Sequence, residues 1–171
     1  MAKLTTLPNQ IEIRAADPAS PDLRPLILGN QRHGAATAPA ASDHTFGIGD
    51  LCQPDIQFFA AYHAGAPLGC GALKALPDGR AEVKSVFVSQ SARGQGLARQ
   101  LMQHLAQIAQ HSGFSALVLE TGSPLCPGYD AARALYEGLG YDYCPPFDSY
   151  VEDPQSVFMR LPLPTSDRAA H

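Results

Sequence analysis

The sequence lacks the excess of basic residues that binding to nucleic acid requires. Lysine and arginine total 12 against 16 aspartate and glutamate residues, which gives a formal net charge of -4. A protein that neutralises many phosphates needs the opposite balance. The sequence also has no run near the roughly 20 apolar residues that cross a bilayer, and no N-terminal apolar run typical of a signal peptide. We therefore expect a cytoplasmic protein that binds neither nucleic acid nor a membrane.

Cysteine is scarce, with four residues in 171. None forms a Cys-x-x-Cys pair, and none has a histidine at the spacing of a metal site; they are Cys52, Cys70, Cys126 and Cys144. This pattern predicts no bound metal. It is typical of the reduced thiols of the cytoplasm, and no motif around the four indicates a catalytic cysteine.

What the sequence does have is the length and composition of a globular domain. Hydrophobic residues make up 45% of the chain and charged residues 16%, which suits a packed core rather than disorder. We expect a single domain over residues 1–171, with its core at about 11–161 and a tail at 162–171.

Hydrophobic periodicity predicts an α/β fold. Residues 56–88 contain three strand patterns separated by turn residues, which indicates an antiparallel meander. A helix pattern over 97–112, with Gly113 placed as its C-terminal cap, lies between two strands that should pair in parallel. Residues 34–42 and 46–54 are weakly patterned, and such long loops often carry function. The predicted strands are 11–14, 56–63, 68–76, 80–88, 114–120, 141–144 and 156–161, and the predicted helices are 22–32, 97–112 and 130–139.

One segment joins a strand to the central helix through closely spaced glycines: Arg93-Gly94-Gln95-Gly96-Leu97-Ala98. The first N–H groups of a helix have no intrahelical partner, and the helix dipole adds partial positive charge there. Glycine has no Cβ to keep an anion away from the backbone. The segment therefore predicts a binding site for a phosphorylated ligand.

Several interpretations of this loop compete. A dinucleotide-binding GxGxxG fingerprint would need a small residue where Arg99 stands, and an acidic residue about 20 positions further on. A P-loop would need a Gly-Lys-Ser/Thr ending, which is absent. A tight strand-to-helix turn without a ligand would also explain the glycines. The remaining interpretation is the pyrophosphate loop of the GNAT superfamily of N-acetyltransferases, Gln/Arg-x-x-Gly-x-Gly/Ala, which Arg93, Gly96 and Ala98 match at all three specified positions.

The order of elements resembles the same superfamily from about residue 56 to 161, and more loosely from residue 11. Residues 132–141, ARALYEGLGY, are similar to its second hallmark, A-x-x-x-Y-x-x-x-G-F/Y, and residues 146–159 resemble one bacterial branch of small acetyltransferases. Tyr129 departs from the asparagine often found seven residues before the helix tyrosine, and the 122–128 loop is longer than usual. The resemblance implies a mixed, mostly antiparallel sheet flanked by helices and splayed at an acetyl-coenzyme A cleft.

This resemblance implies acetyl-coenzyme A as co-substrate and no metal. Its pyrophosphate would meet the backbone of the loop, with charge-assisted contacts from arginine side chains, and its pantetheine amides would pair with strand backbone beside the cleft. For Val86 and Val88, which lie on that strand, plain core packing is the alternative explanation. The implied cofactor-binding residues are Val86, Phe87, Val88, Arg93, Gly94, Gln95, Gly96, Leu97, Ala98 and Arg99.

Two side chains are the predicted catalytic residues. Tyr136 matches the superfamily's general acid, which would protonate the departing thiolate or hydrogen-bond to it; from spacing alone it is a packed aromatic on the core side of its helix. Glu82 shares a predicted strand face with Lys84 and the two valines, and could take the proton of an ammonium acceptor; a solvated surface carboxylate is the alternative. Four later side chains either border the acceptor pocket or form an ordinary polar loop: Tyr143, Asp148, Tyr150 and Asp153.

We therefore expect direct transfer of an acetyl group from acetyl-coenzyme A to a primary amine in a ternary complex. The amine acceptor, a small molecule or a protein, is the implied partner, and the resemblance also allows a homodimer. Two alternatives stay open. One is a non-catalytic acyl-coenzyme A binding or sensing module that keeps the loop but turns over no acceptor; the other is a nucleotide-binding oxidoreductase that binds NAD.

Overall fold

The computed structural model describes residues 10–165 and contains a seven-stranded sheet within that range. The strands are β1 (Ile11–Ala15), β2 (Ile56–His63), β3 (Ala66–Ala75), β4 (Ala81–Val88), β5 (Ala116–Gly122), β6 (Asp142–Cys144) and β7 (Ser156–Pro162). The α-helices are α1 (Arg24–Thr37), α2 (Ile48–Leu51), α3 (Leu97–His111) and α4 (Asp130–Gly138). The order of strands in the sheet is β1-β2-β3-β4-β5-β7-β6.

The sheet is mixed and mostly antiparallel, as the sequence predicts. β1 to β4 form an antiparallel meander. Ala64 and Gly65, with φ of 48° and 79°, make the turn between β2 and β3, and positive φ at both positions suits the twist of a hairpin. β4 and β5 pair in parallel, because α3 supplies the crossover that a parallel pair needs. β7 then inserts antiparallel between β5 and β6.

The parallel strands β4 and β5 separate soon after they begin. Their paired residues are Ala81–Leu117 and Glu82–Val118. Beyond these pairs each strand has an edge that faces the other without pairing. Ser85 lies just after the last pair, with φ of 57° and a register shift against β3. A β-bulge of this kind bends a strand, so the splay implied by the resemblance is present and follows Glu82.

Side-chain alternation distributes the helices over two faces of the sheet. On β2, Phe58 packs with α1 and α2, and the next residue, Phe59, packs with α3. α3 buries the apolar side of its amphipathic pattern against this second face. α4 joins the same side through Leu135 and Tyr136. The gap between β4 and β5 opens onto both faces of the sheet.

The structure differs from the predicted elements mainly before β2 and after β7. α1 continues to Thr37 rather than ending at residue 32, because the alanine-rich stretch favours helix until Pro39 restricts the residue before it. The short helix α2 occupies part of the predicted loop at 46–54. The predicted tail begins too early, since β7 includes Pro162 and Leu163 N–H donates to the carbonyl of Ser115 at 3.0 Å.

The remaining tail residues, 166–171, lie outside the described residues, as do residues 1–9, where no signal peptide is expected. Within 10–165, no helix is both long and apolar enough to cross a membrane. The same range holds no group of three or more His, Cys, Asp or Glu side chains placed to share a metal ion. The four cysteines are free, and burial raises the pKa of the Cys70 thiol to about 12, which keeps that thiol protonated and unreactive.

Candidate active site

A cleft of about 370 Å³ opens where β4 and β5 separate. Val86, Ala98 and Tyr136 line it from the side of α3 and α4. Phe46 and Lys84 line it from the side of α1 and α2. A cleft that passes through a gap in a sheet allows two ligands to approach each other from opposite faces.

The glycine loop between β4 and α3 lies at one end of this cleft. Gly94 and Gly96 have φ of 75° and 78°, in the left-handed region that costs other residues about 1–2 kcal/mol. A Cβ built on either would meet nothing within 4 Å, so the space above the loop is open. Gly96 is the N-cap of α3, and none of the described side chains caps the helix there. The first N–H groups of α3 are therefore available to an anion, and the loop fits a pyrophosphate.

Arg93 connects the loop to the end of β4. Its Nε donates to the carbonyl of Val88 at 3.1 Å, and its guanidinium carbon lies 5.3 Å from the centre of the Phe87 ring. The terminal nitrogens of Arg93 are placed to add a charge-assisted contact to a phosphate. The edge of β4 beyond Glu82 offers backbone groups to the amides of an extended ligand. These residues together fit acetyl-coenzyme A.

The predicted cofactor-binding residues divide into those that line the cleft and those that lie beside it. Val86, Phe87, Val88, Arg93 and Ala98 line it. Gly94, Gln95 and Gly96 form the exposed part of the loop. Leu97 is buried against Leu101, so its backbone rather than its side chain can meet an anion. Arg99 extends toward α4, where one terminal nitrogen lies 3.4 Å from a Cβ built on Gly138.

The expectation that Glu82, Lys84, Val86 and Val88 share one face of their strand is wrong. The bulge at Ser85 shifts the alternation by one residue. Val86 and Val88 pack toward α3, whereas the Nζ of Lys84 lies 4.1 Å from the centre of the Phe46 ring on the other face. β4 therefore sends its valines and its two charged side chains to opposite sides of the sheet.

Tyr136 lines the cleft from α4 and also packs in the core. Its ring centre lies 5.9 Å from that of Tyr141. Burial, with a smaller contribution from the charge of Glu120, raises the pKa of Tyr136 to about 12. The phenol is therefore protonated at neutral pH and is available as a hydrogen-bond donor in the cleft.

Glu82 is buried, with 2% of its side chain exposed, and is not a solvated surface carboxylate. Its Oε1 accepts a hydrogen bond from the Tyr150 hydroxyl at 2.6 Å and lies 3.4 Å from the Nζ of Lys84. Among the described residues that line the cleft, Glu82 is absent. Its role as general base stays a prediction.

Lys84 links this carboxylate to the 42–46 segment, which lines the cleft, and to the 150–153 segment. Its Nζ donates to the Tyr150 hydroxyl at 2.9 Å and to the His44 carbonyl at 3.2 Å. Ser42 and Asp153 join the same two segments, since Ser42 Oγ donates to Asp153 Oδ2 at 2.5 Å. Lys84 on β4 and the Ser42–Asp153 hydrogen bond therefore hold the 42–46 segment of the cleft wall against the 150–153 segment.

The four polar side chains predicted near the acceptor are not equivalent. Tyr150 and Asp153 belong to the network just described. Tyr143 is exposed and donates to Glu137 on α4 at 2.5 Å. Asp148 is exposed in a turn, with φ of 52°. None of these four side chains is among the described cleft-lining residues.

Glu120, near the end of β5, is a site residue that the sequence reasoning missed. It lines the cleft and accepts one hydrogen bond, from Ser156 Oγ at 3.3 Å. Burial raises the pKa of Glu120 to about 7; the charge of Lys84 and the Ser156 hydroxyl oppose this rise, and the charges of Glu82 and Asp153 add to it. A carboxyl group that titrates near neutral pH suits acid–base chemistry. The available sequence signal was a lone acidic residue in an otherwise apolar strand.

Comparison with known proteins agrees with this geometry. A family model described as the Acetyltransferase (GNAT) family matches residues 30–141. The uncharacterized N-acetyltransferase YsnE of Bacillus subtilis (strain 168) is 43% identical over 126 residues, which cover 74% of this chain and 82% of that protein. An IAA acetyltransferase of Azospirillum brasilense is 37% identical over 159 residues, covering 92% of this chain and 100% of that protein. Among solved structures, a Klebsiella pneumoniae protein assigned as an acyl-CoA N-acyltransferase has a TM-score of 0.74 at 29% identity, covering 90% of this chain and 98% of that one.

A splayed sheet with an uncapped helix N-terminus on one side of the gap and titratable groups on the other suits an acyl-transferring enzyme. The chain belongs to the GNAT family of acetyltransferases, as its motifs predict, and it is an acyltransferase.

Proposed function

We propose that this protein transfers the acetyl group of acetyl-coenzyme A to a primary amine by direct attack in a ternary complex. The observation that carries the proposal is the cleft between β4 and β5, because it connects the phosphate-binding end of α3 with Glu120 and Tyr136. Holding two reactants in one cleft removes much of the entropic barrier to their reaction. None of the described cysteines lines the cleft, which favours direct attack over a cysteinyl intermediate.

The donor half of the cleft is assigned to acetyl-coenzyme A. The backbone from Gly94 to Ala98 would bind the pyrophosphate, and Arg93 and Arg99 would add positive charge. The edge of β4 at Val86, Phe87 and Val88 would pair with the pantetheine amides. When bound, the co-substrate supplies a thioester whose carbonyl carbon is the electrophile.

Glu120 is our candidate for the general base, and Glu82, predicted from the sequence, is the alternative. An ammonium acceptor must lose a proton before its nitrogen can attack a carbonyl carbon. Glu120 lines the cleft, and with a pKa of about 7 it is substantially ionised at neutral pH. Glu82 already accepts the hydrogen bond of Tyr150. In this assignment the carboxylate takes one proton from the ammonium group, and the neutral amine then forms the C–N bond. The C–S bond breaks as the adduct collapses, and the second amine proton leaves to solvent to give the amide.

Tyr136 is proposed to stabilise the departing sulfur by a hydrogen bond. A thiol ordinarily has a pKa of ~8.5, whereas the pKa of Tyr136 is about 12. Complete proton transfer from the phenol to the thiolate would therefore be uphill by about 5 kcal/mol. Hydrogen-bond donation avoids that cost, and the thiolate can take its proton from solvent.

The function is tested by measuring free thiol released from acetyl-coenzyme A across a panel of primary amines. IAA is assayed separately from the amine panel, because one relative carries that name. We expect amine-dependent thiol release, an acetylated amine in the mass spectrum, and intersecting rather than parallel initial-rate lines. Coenzyme A binding without turnover of any acceptor would instead support the binding or sensing module. Binding of NAD that coenzyme A does not displace would support the oxidoreductase.

A further inference from the structure

The acceptor side of the cleft carries an unusual number of ring side chains. The rings that line it on the face of α1 and α2, or at the end of β5, are His33, His44, Phe46, Phe87 and Tyr129. The rings of His33 and Tyr129 pack edge to face, with ring centres 5.0 Å apart and planes at 72°. Ring faces bury apolar area and stack with other rings, and such pairs contribute more than their buried area alone.

Tyr129 is held firmly in this wall. A Cβ added to Gly122 would lie 2.3 Å from Cδ2 of the Tyr129 ring. A Cβ added to Gly128 would lie 2.4 Å from a methyl carbon of Thr37. Glycine at these two positions therefore lets the segment that carries Tyr129 pack tightly against β5 and α1. A wall fixed in this way loses little entropy when a ligand binds.

The charges on the acceptor side favour a cation over an anion. Asp43 and Glu120 both line the cleft. The nearby ammonium of Lys84 is already satisfied by Tyr150, the His44 carbonyl and Glu82.

Two other nitrogen-containing side chains, those of His33 and Arg93, do not change this preference for a cation. Burial, with a smaller effect of the Arg93 charge, lowers the pKa of His33, so this ring is neutral at neutral pH and above. Arg93 belongs to the phosphate-binding loop. Among the described lining residues, an acceptor's ammonium group thus meets carboxylates, whereas the lysine and the arginine that could bind an acceptor's carboxylate are both committed elsewhere.

We propose that the acceptor is a primary amine carried on an aromatic body and bearing no carboxylate. This inference rests on the function proposed above and narrows its substrate class. The amine nitrogen would lie at Glu120, beside the gap between β4 and β5, and the ring would lie against Phe46 and Tyr129. Polyamines lack the ring, and free amino acids add a carboxylate beside Asp43 and Glu120.

Four acceptors that differ in one feature at a time test the proposal in the thiol-release assay. Phenethylamine has the ring and the amine; phenylalaninamide adds a neutral group, phenylalanine adds a carboxylate at the same carbon, and putrescine removes the ring. We expect phenethylamine and phenylalaninamide to be used with similar kcat/KM. Phenylalanine and putrescine should each be at least about tenfold worse, since like-charge juxtaposition and lost ring contacts each cost more than 1.4 kcal/mol.

The charge argument has its own variant and matched control. Asp43→Asn keeps the side-chain oxygen that accepts from Thr45 N–H at 3.1 Å and from Thr45 Oγ1 at 2.7 Å, but removes the charge. It should raise kcat/KM for phenylalanine relative to phenethylamine. Asp50→Asn is the same change at a carboxylate that accepts from Gly47 N–H at 2.9 Å and is not among the described cleft-lining residues. It should leave that ratio unchanged.

The ring argument is tested by Phe46→Leu and Tyr129→Leu, which keep apolar bulk and remove a ring. Each should lower kcat/KM for phenethylamine several-fold more than for butylamine, while the urea midpoint reports that the variant is folded. Better turnover of putrescine or phenylalanine than of phenethylamine by the wild type would overturn this inference and leave the proposed function standing. Turnover of no amine at all would overturn both.

Discussion

Glu120 can be ionised only at a cost in stability, because its carboxyl group is largely buried in the cleft wall. Its pKa rises from 4.5 to about 7 on folding. Between these pH values the folded chain holds a proton that the unfolded chain has released, so the free energy of unfolding falls as pH rises. At pH 8 the penalty is complete and amounts to about 3 kcal/mol.

Glu120→Gln should therefore stabilise the protein at high pH. Glutamine keeps the shape and cannot ionise, so we expect the free energy of unfolding to rise by about 1–3 kcal/mol at pH 8 and to change little at pH 4. Urea unfolding at the two pH values measures this. An equal change at both values would mean that the charge of Glu120 is not the cause.

The same residue should set the pH dependence of the reaction. A base with a pKa of about 7 is protonated and inactive at lower pH, so kcat/KM should rise with pH through that value. Glu120→Gln should abolish this acidic limb, and Glu82→Gln should keep it. If Glu82→Gln removes the limb and Glu120→Gln keeps it, the base is Glu82, as the sequence predicts.

A substitution of Tyr136 should change the rate of the chemical step without changing the affinity for coenzyme A. Tyr136→Phe removes only the hydroxyl, so kcat should fall by roughly 10²-fold, at the low end of the effect of a positioned acid. The dissociation constant of coenzyme A, measured by calorimetry, should stay within about twofold because the phosphate-binding loop is untouched. Unchanged turnover would remove Tyr136 from the mechanism.

At the scale of elements, substitutions in the glycine loop distinguish the cost of backbone strain from the loss of ligand binding. Gly96→Ala places a Cβ at φ of 78°, so we expect the free energy of unfolding to drop by about 1–2 kcal/mol. It should also weaken coenzyme A binding, because the Cβ stands above the first N–H groups of α3. Calorimetric titration with coenzyme A measures the second effect.

Gly79→Ala is the matched control for this loop. Gly79 has φ of 84°, and a Cβ built there also meets nothing within 4 Å, but it lies in the turn between β3 and β4. It should lose similar stability and keep its affinity for coenzyme A. Equal affinities in the two variants would contradict a binding role for the N-terminus of α3.

The strength of the sequence patterns explains which elements could be predicted. α3 was predicted to within one residue at its end, because a long amphipathic period and Gly113, with φ of 86°, both mark it. The end of α1 and the existence of α2 were not predicted, since short or alanine-rich stretches carry little periodicity. The bulge at Ser85 could not be predicted, because serine is an ordinary strand residue and nothing in the local pattern marks its φ of 57°.

At the scale of the whole molecule, one buried ion pair joins segments that are far apart in sequence. Lys84 and Glu82 expose 8% and 2% of their side chains. Through Tyr150 and the carbonyl of His44, they connect β4 to the 150–153 and 42–46 segments. Removing one partner of such a pair leaves an uncompensated buried charge, which is far more damaging than removing both.

Lys84→Met should therefore lower the free energy of unfolding by about 3–5 kcal/mol. The double variant Lys84→Met with Glu82→Gln should recover a large part of that loss, because no buried charge remains. A double-mutant cycle in urea measures the coupling between the two sites. If the losses of the single variants simply add, the ion pair is not what holds this part of the fold.

The predictions that residues 1–171 form a single domain and that a homodimer is allowed stand as predictions about the whole molecule. By contrast, the site itself was partly predictable. The loop at 93–99 and Tyr136 could be located because their signals lie in consecutive residues. Glu120 and the network around Lys84 could not, because burial and charge pairing depend on segments more than 30 residues apart in the chain.

The sequence by itself determined the family, the position of the glycine loop and most strands and helices, because local periodicity and glycine spacing act over a few residues. Only the tertiary structure decided where the cleft passes through the sheet, which carboxylate reaches it, and which rings and charges line it. These features depend on the separation of β4 from β5 and on the exclusion of water around Glu120 and Glu82. Both arise only when the sheet and its two helical faces have assembled.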